Sequence, residues 1–195
     1  MMYQNNIMLS EYPLFHSSNL INFHGKIIQS KDITLENFTA QNIAIIGTDQ
    51  NTVTHLSKIC HSAHSVTVFQ INPLHILPKT DKIFQRLIHP LFTKNRRLIN
   101  QRIKALISLQ FLENNVINHW LKKQLSPNIA KIPKFFLRSD DYYTALQSEN
   151  CQLVTWPIQK VLKNQLICID NSSYPTDIII LSEPKADQKV SKQFK

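Results

Sequence analysis

Hydrophobic positions along this chain fall into strand-like and helix-like stretches in a repeating order. Ile43, Ala44, Ile45 and Ile46 form an unbroken apolar run that Gly47 closes, the pattern of a strand buried on both faces that leads into a tight turn. Gln50 to Ser62 then carries Val53, Leu56, Ile59 and Cys60 at helical spacing, which predicts a crossover helix with one buried face. Ser65 to Gln70 is rich in β-branched and aromatic residues and predicts a second parallel strand, reached by a right-handed crossover. Upstream, Phe23 to Ser30 reads as a short strand entered through Gly25, a residue type that can take a positive φ, with Asp32 in a loop behind it.

After Asn72 the pattern changes. Pro73 and Pro78 make an extended connection, and helices are predicted over Lys82 to Leu91, Arg96 to Asn114 and Val116 to Leu125, ended by Pro127. In the middle helix Leu98, Ile99, Ile103, Leu106, Ile107, Leu109 and Phe111 are expected to bury one side, with Arg96, Arg97, Arg102 and Lys104 outward. Strands return at Phe135 to Leu137, Cys151 to Thr155, Ile158 to Leu162, Gln165 to Ile169 and Thr176 to Leu181, with Lys163-Asn164 as a hairpin turn. Asp140 to Leu146 reads as a short helix capped by Ser139, in which Tyr142 and Tyr143 are expected to be half-buried. The predicted class is α/β: a Rossmann-like NAD(P)-binding domain with a parallel sheet over residues 23–182, a helical insert at about 80–130 and a small antiparallel region. Residues 1–22 read as an N-terminal arm, and the charged stretch 183–195 as a frayed basic tail.

Composition narrows the class without naming a function. The 195 residues carry a formal net charge of +9, concentrated between Lys79 and Lys104 and beyond Glu183, which admits an anionic partner but fits a solvated basic surface better. No apolar stretch approaches the roughly 20 residues of a membrane span, and the N-terminus has no secretory pattern, so a cytoplasmic location is expected. Cys60, Cys151 and Cys168 have no CxxC spacing and suit a reducing compartment. Only two glycines occur, Gly25 and Gly47.

The chemistry concentrates at the turn. In a G-x-G-x-x-G loop the first glycine permits the turn, the second admits the pyrophosphate and the third lets the helix pack on the strand. Here those positions are Gly47, Asp49 and Thr52, so a carboxylate stands where phosphates meet helix N–H groups. Gly47, Thr48, Asp49, Gln50, Asn51 and Thr52 are the candidate nucleotide-lining residues, and Lys79 and Lys134 the candidate phosphate contacts. His55, Cys60, His61 and His64 do not share one helical face, and no metal site is expected of them. Asp140 and Asp141 read as a helix start, not as an acid-base pair. No catalytic residue is assigned, and no G-x-S-x-G, P-loop or HExxH is present.

Several blocks, taken in order, carry a resemblance. Phe23-x-Gly25 with Ser30 matches F-x-G-x-x-x-H-[ST], and Ile45-Ile46-Gly47 with Asn51 matches a G-x-G-x-[SA] turn. Ser65 to Gln70 with Pro73 matches S-V-T-V-F-Q-R-[ST]-P, and Ile76-Leu77-Pro78 matches W-[VI]-x-P. Lys134 to Gln147 matches K-R-x-L-x-S-D-D-Y-Y-x-x-L, and Asn150 to Val154 matches N-V-x-L-V. As a set, over about residues 13 to 181, they resemble the NADPH-domain portion of the flavin-dependent monooxygenases of the Baeyer-Villiger and related class B type. The resemblance implies NADPH as reductant of a bound FAD, which reacts with oxygen and passes one oxygen atom to a substrate.

Four positions depart from that family: Gln29 for its histidine, Asp49 for the pyrophosphate glycine, Ile71 for the arginine that holds the NADP 2′-phosphate, and Phe135 for the arginine that stabilises the flavin peroxide. The family's FAD-binding motif and its A-T-G return are also not found, Ser182-Glu183-Pro184 standing where that return would be. The resemblance therefore implies weak NADP contact, an FAD site outside this sequence, and a truncated portion of an oxidoreductase that is inactive alone, working with an FAD-domain polypeptide or as a homo-oligomer. Two other readings stay open: a scaffold or interaction protein that has lost nucleotide binding, and, ranked last, a basic surface for nucleic acid or another anionic partner.

Overall fold

The computed structural model describes residues 17–79, 96–128, 130, 133 and 135–182. A 3-10 turn at Ser17–Asn22 leads to strand β1 (Lys26–Gln29) and a second 3-10 turn at Ser30–Leu35, where a loop is expected around Asp32. Strand β2 (Asn42–Ile46), helix α1 (Gln50–Ser62) and strand β3 (Ser65–Phe69) follow within one residue of their predicted bounds. Next come β4 (Ile76–Leu77), α2 (Arg96–Asn115), α3 (His119–Leu125), β5 (Leu137–Arg138) and the single-turn α4 (Tyr142–Ala145). The chain ends its described part with β6 (Cys151–Val154), β7 (Ile158–Val161), β8 (Gln165–Cys168), β9 (Ser173–Pro175) and β10 (Ile178–Leu181). The helix expected at Lys82 to Leu91, the tail 183–195 and residues 1–16 of the arm lie outside the described residues.

Five strands form one parallel sheet in the order β1-β10-β2-β3-β6. Both its faces are covered, and the two-residue period of the strands sorts the side chains between them. Ile43 and Ile45 of β2, Val66 and Val68 of β3, and Ile178 and Ile180 of β10 pack with Val53, Leu56 and Ile59 of α1 and with Leu112 and Tyr143. Ala44, Ile46, Phe69 and Ile179 face the other way, onto Ile158, Val161, Leu166 and Cys168 of the antiparallel β7-β8-β9 sheet. Helices, parallel sheet and small antiparallel sheet are thus three successive layers. The hairpin through Lys163-Asn164 joins β7 to β8, with Leu162 N donating to Gln165 O at 2.9 Å.

Local expectations fail in instructive ways. Gly25 is not at positive φ; a Cβ there would lie 2.2 Å from Asp177 O and 2.5 Å from the Phe23 ring, so it is needed for lack of bulk. Tyr142 and Tyr143 are fully buried, not half-buried, and burial pushes the Tyr143 phenol well above its usual range. Among the described side chains of α2, which exclude Leu98 and Ile99, the buried stripe is Ala105, Ser108 and Leu112, while Leu106 is 58% exposed, because small residues let the helix approach β4 and Ser108 bonds His75 there. Ser139 Oγ does cap the start of α4, accepting from Asp141 N and Tyr142 N.

Candidate functional site

The site lies at the carboxyl ends of β2, β3 and β10, where an open parallel sheet places its ligand crevice. Gly47 leaves β2 at φ +79°, a conformation that disfavours any Cβ, and its N–H donates to Phe69 O at 3.0 Å. A Cβ on Gly47 would also meet Ser182 Oγ at 2.2 Å. Ser182, the residue after β10, donates from both N and Oγ to Ile46 O at 3.1 Å, stitching the two central strands together where they end.

Beyond Gly47 the chain enters α1 through a reciprocal cap. Asp49 Oδ1 accepts from Thr52 N at 2.8 Å, and Thr52 Oγ1 accepts from Asp49 N at 2.8 Å. The other carboxylate oxygen of Asp49, Oδ2, accepts from Ser30 Oγ. Both Asp49 and Ser30 are buried, so the carboxylate stands inside the turn and not over it. A helix start offers its first N–H groups and dipole to an anion. Here two of those donors are already taken, by side chains of the same turn.

The remaining candidates divide. Thr48 Oγ1 donates to Gln70 Oε1 at 3.1 Å, and Tyr142 Oη donates to the same oxygen at 2.7 Å, so Thr48 is tied to the end of β3. Gln50 is committed to structure: its side chain donates to Arg138 O at 2.8 Å and accepts from Arg138 N at 3.0 Å, pinning α1 to β5. Asn51 is half-buried at the helix start, and Thr52 is buried. Lys79 is exposed, its backbone N donates to Asp140 Oδ1 at 2.8 Å, and its charge reaches α1. His55 records that reach: burial first, then Lys58 and Lys79, hold its pKa below the ordinary value. Lys134 lies outside the described residues. Among the described residues no group of three metal-ligating side chains gathers.

Ser30 and Ser182 escape sequence reasoning as site residues. Neither is polar enough to draw notice alone, and they reach the turn from 19 and 136 residues away. The signals were the match of Ser30 to the last position of F-x-G-x-x-x-H-[ST] and the place of Ser182 where the A-T-G return would be.

No family model matches the chain. Curated proteins do: an FAD-binding monooxygenase of Aspergillus niger is 24% identical over 192 residues, covering 85% of this chain and 31% of the relative. A Baeyer-Villiger monooxygenase of Streptomyces coelicolor is 25% identical over 182 residues, covering 81% of this chain and 35% of its own length. The curated relatives are thus FAD-binding and Baeyer-Villiger monooxygenases. The chain spans about a third of the length of these monooxygenases. Among solved structures, an oxidized steroid monooxygenase bound to NADP superposes with a TM-score of 0.66 at 16% identity, covering 84% of this chain and 43% of that one. An open cyclohexanone monooxygenase gives 0.67 at 13% identity, covering 84% and 44%. At those identities the monooxygenase likeness in three dimensions is one of fold: the α/β architecture with its five-stranded parallel sheet.

Relative to the monooxygenase motif, two of the four departing positions, Asp49 and Ile71, have a structural role of their own. Asp49 is the cap of α1, and Ile71 packs against the cluster around Phe69 and Val154. Phe135 is 61% exposed, an uncharged ring at the motif's arginine position. Gln29 ends β1 beside Leu181, half-buried.

Proposed function

We propose that this chain is the pyridine-nucleotide domain of a flavin-dependent monooxygenase, with the dinucleotide turn held shut by its own carboxylate. The observation that carries this reading is the passage from β2 through Gly47 into α1 beside Ser182, in a fold whose relatives are monooxygenases. NADP would lie across Gly47 to Thr52, with Lys79 and Lys134 reaching for phosphate. Its pyrophosphate would have to displace Asp49 from Thr52 N against like-charge repulsion, and Ile71 offers no bond to a 2′-phosphate, so affinity is weak. Catalytic oxygenation requires FAD held by polypeptide other than the described domain. We take residues 23–182 as the folded unit, with the helical insert at about 80–130, between an arm (1–22) and a basic tail (183–195), acting in the cytoplasm.

Asp49→Gly is the direct test. Removing the carboxylate frees Thr52 N and takes away one negative charge, so NADPH should bind about tenfold tighter or better, equivalent to ~1.4 kcal/mol, measured by calorimetric titration. Unchanged weak binding in a folded variant rejects a phosphate-facing turn. A second reading, a scaffold that has abandoned nucleotide, draws on the same closed cap. It predicts that NADPH leaves the melting temperature of both the native chain and the variant unmoved. An absorbance spectrum of the purified chain after mixing with FAD reports separately on flavin.

A further inference from the structure

The cysteines Cys60, Cys151 and Cys168 are all free thiols. Two of them meet where α1 lies on the parallel sheet. Cys60 is in the last turn of α1 and Cys151 opens the edge strand β6, and the Cys151 thiol donates a hydrogen bond to the Cys60 sulfur.

The backbone fixes that meeting from both sides. Asn150 Nδ2 donates to Cys60 O at 2.8 Å and to Ala63 O at 3.0 Å, clamping the end of α1 to the residue before Cys151. Cys151 N donates to Ser148 O at 3.0 Å, and Val66 N donates to Asn150 O at 2.8 Å, which set the start of β6 beside β3. Cys60 Sγ also lies 3.9 Å from Ala145 O, and both cysteines pack in the cluster that α1 forms with the sheet. Cys168 stands apart, in the cluster on the other face.

The two sulfurs are not equivalent. The hydrogen bond from Cys151 holds the Cys60 thiol below its ordinary value against the opposing effect of burial, while the same bond and burial push Cys151 up. Thiolates are the nucleophiles of thiol chemistry, so Cys60 attacks and Cys151 resolves. Cys60 is 6% exposed and Cys151 half-buried, so a reagent enters from the Cys151 side. There β6 has no strand beyond it among the described residues, and an edge strand opens more readily than the centre of a sheet.

We propose that Cys60 and Cys151 form a peroxide-sensitive dithiol site that closes into a disulfide joining α1 to β6. The Cys60 sulfur attacks one oxygen of hydrogen peroxide, the O–O bond breaks, and the other oxygen leaves with the Cys60 proton as water. The Cys151 sulfur then attacks the sulfenic sulfur, the S–O bond breaks, and the hydroxyl leaves with the Cys151 proton as a second water. Two thiols are oxidised to one disulfide while one peroxide is reduced to two waters. Gly47 and Asp49 take no part, so the site stands apart from the reading of the dinucleotide turn.

The full chain is treated with excess hydrogen peroxide in its native state and, in parallel, in urea, then unfolded and alkylated with N-ethylmaleimide for mass spectrometry. The native sample should lose two hydrogens and take up one maleimide, on Cys168, with a peptide pair linking Cys60 to Cys151. The urea sample should give mixed pairings that include Cys168, and dithiothreitol should restore alkylation of all three cysteines. In Cys151→Ser, which keeps a donor but lacks the resolving sulfur, Cys60 should stop at the sulfenic acid and be trapped by dimedone. Full alkylation of the peroxide-treated native chain overturns the proposal, as does a native pairing as mixed as that in urea. Dimedone on Cys168 and not on Cys60 in folded Cys151→Ser would overturn it as well.

Discussion

Asp49 turns its carboxylate inward, onto Thr52 N and Ser30 Oγ, and so links β1 to the first turn of α1. Asp49→Ala should cost about 1 kcal/mol or somewhat more in urea unfolding, the loss of an N-cap with a buried partner. Asp49→Gly should cost less, because glycine is itself tolerated at that position. Gly47→Ala should be more damaging, since φ +79° and Ser182 Oγ both oppose a Cβ. A loss of roughly 1–3 kcal/mol is expected. Gly47→Ala combined with Ser182→Ala should recover the part due to the clash, and a double-mutant cycle in chemical denaturation would expose that coupling. Histidines set an acid limit as well. Burial lowers the pKa of both His55 and His75 from 6.5, so the unfolded chain takes up their protons first. Their stabilising contribution is complete above pH 6.5 and declines as pH falls toward the lowered folded values. Melting temperatures between pH 7.5 and about 5 should fall, and His75→Gln should flatten part of that decline.

The elements differ in how plainly the chain announces them. Helix α1 runs over the residues that its apolar spacing marked, because Asp49 caps one end and Val53, Leu56 and Ile59 fix the buried face. The parallel strands were equally legible, since a sheet covered on both sides demands unbroken apolar runs. Strands β4 and β9 were not, being two and three residues long with no room for a period. The inner stripe of α2 was misread for a different reason. A count of large apolar residues favours Leu106, whereas the contact with β4 is made through Ala105 and Ser108, chosen for size and for the bond to His75. Leu112→Ala, at a position 1% exposed, should cost about 2–5 kcal/mol by thermal or chemical unfolding. Leu106→Ala, 58% exposed, should stay within roughly 0.5 kcal/mol. The candidate site was half legible: the turn was read from its glycine and its helix, but the serines that close it come from distant strand ends.

For the molecule as a whole, the curated relatives are monooxygenases and the solved structures share its fold, while the turn after β2 is capped from within. The order of the central sheet has a further consequence, in time and not in space. β10 sits between β1 and β2, yet it is the last described strand in the chain, following the whole β7-β8-β9 meander. Until residues 178–181 leave the ribosome, β1 has no neighbour and β2 presents an open edge of isoleucines. Nascent chains of this protein should therefore be clients of chaperones until β10 has emerged, and cooperative folding of the sheet should appear in a single step only then. Arrest at residue 170 should leave a protease-sensitive, aggregation-prone chain, and release beyond Ser182 a resistant one.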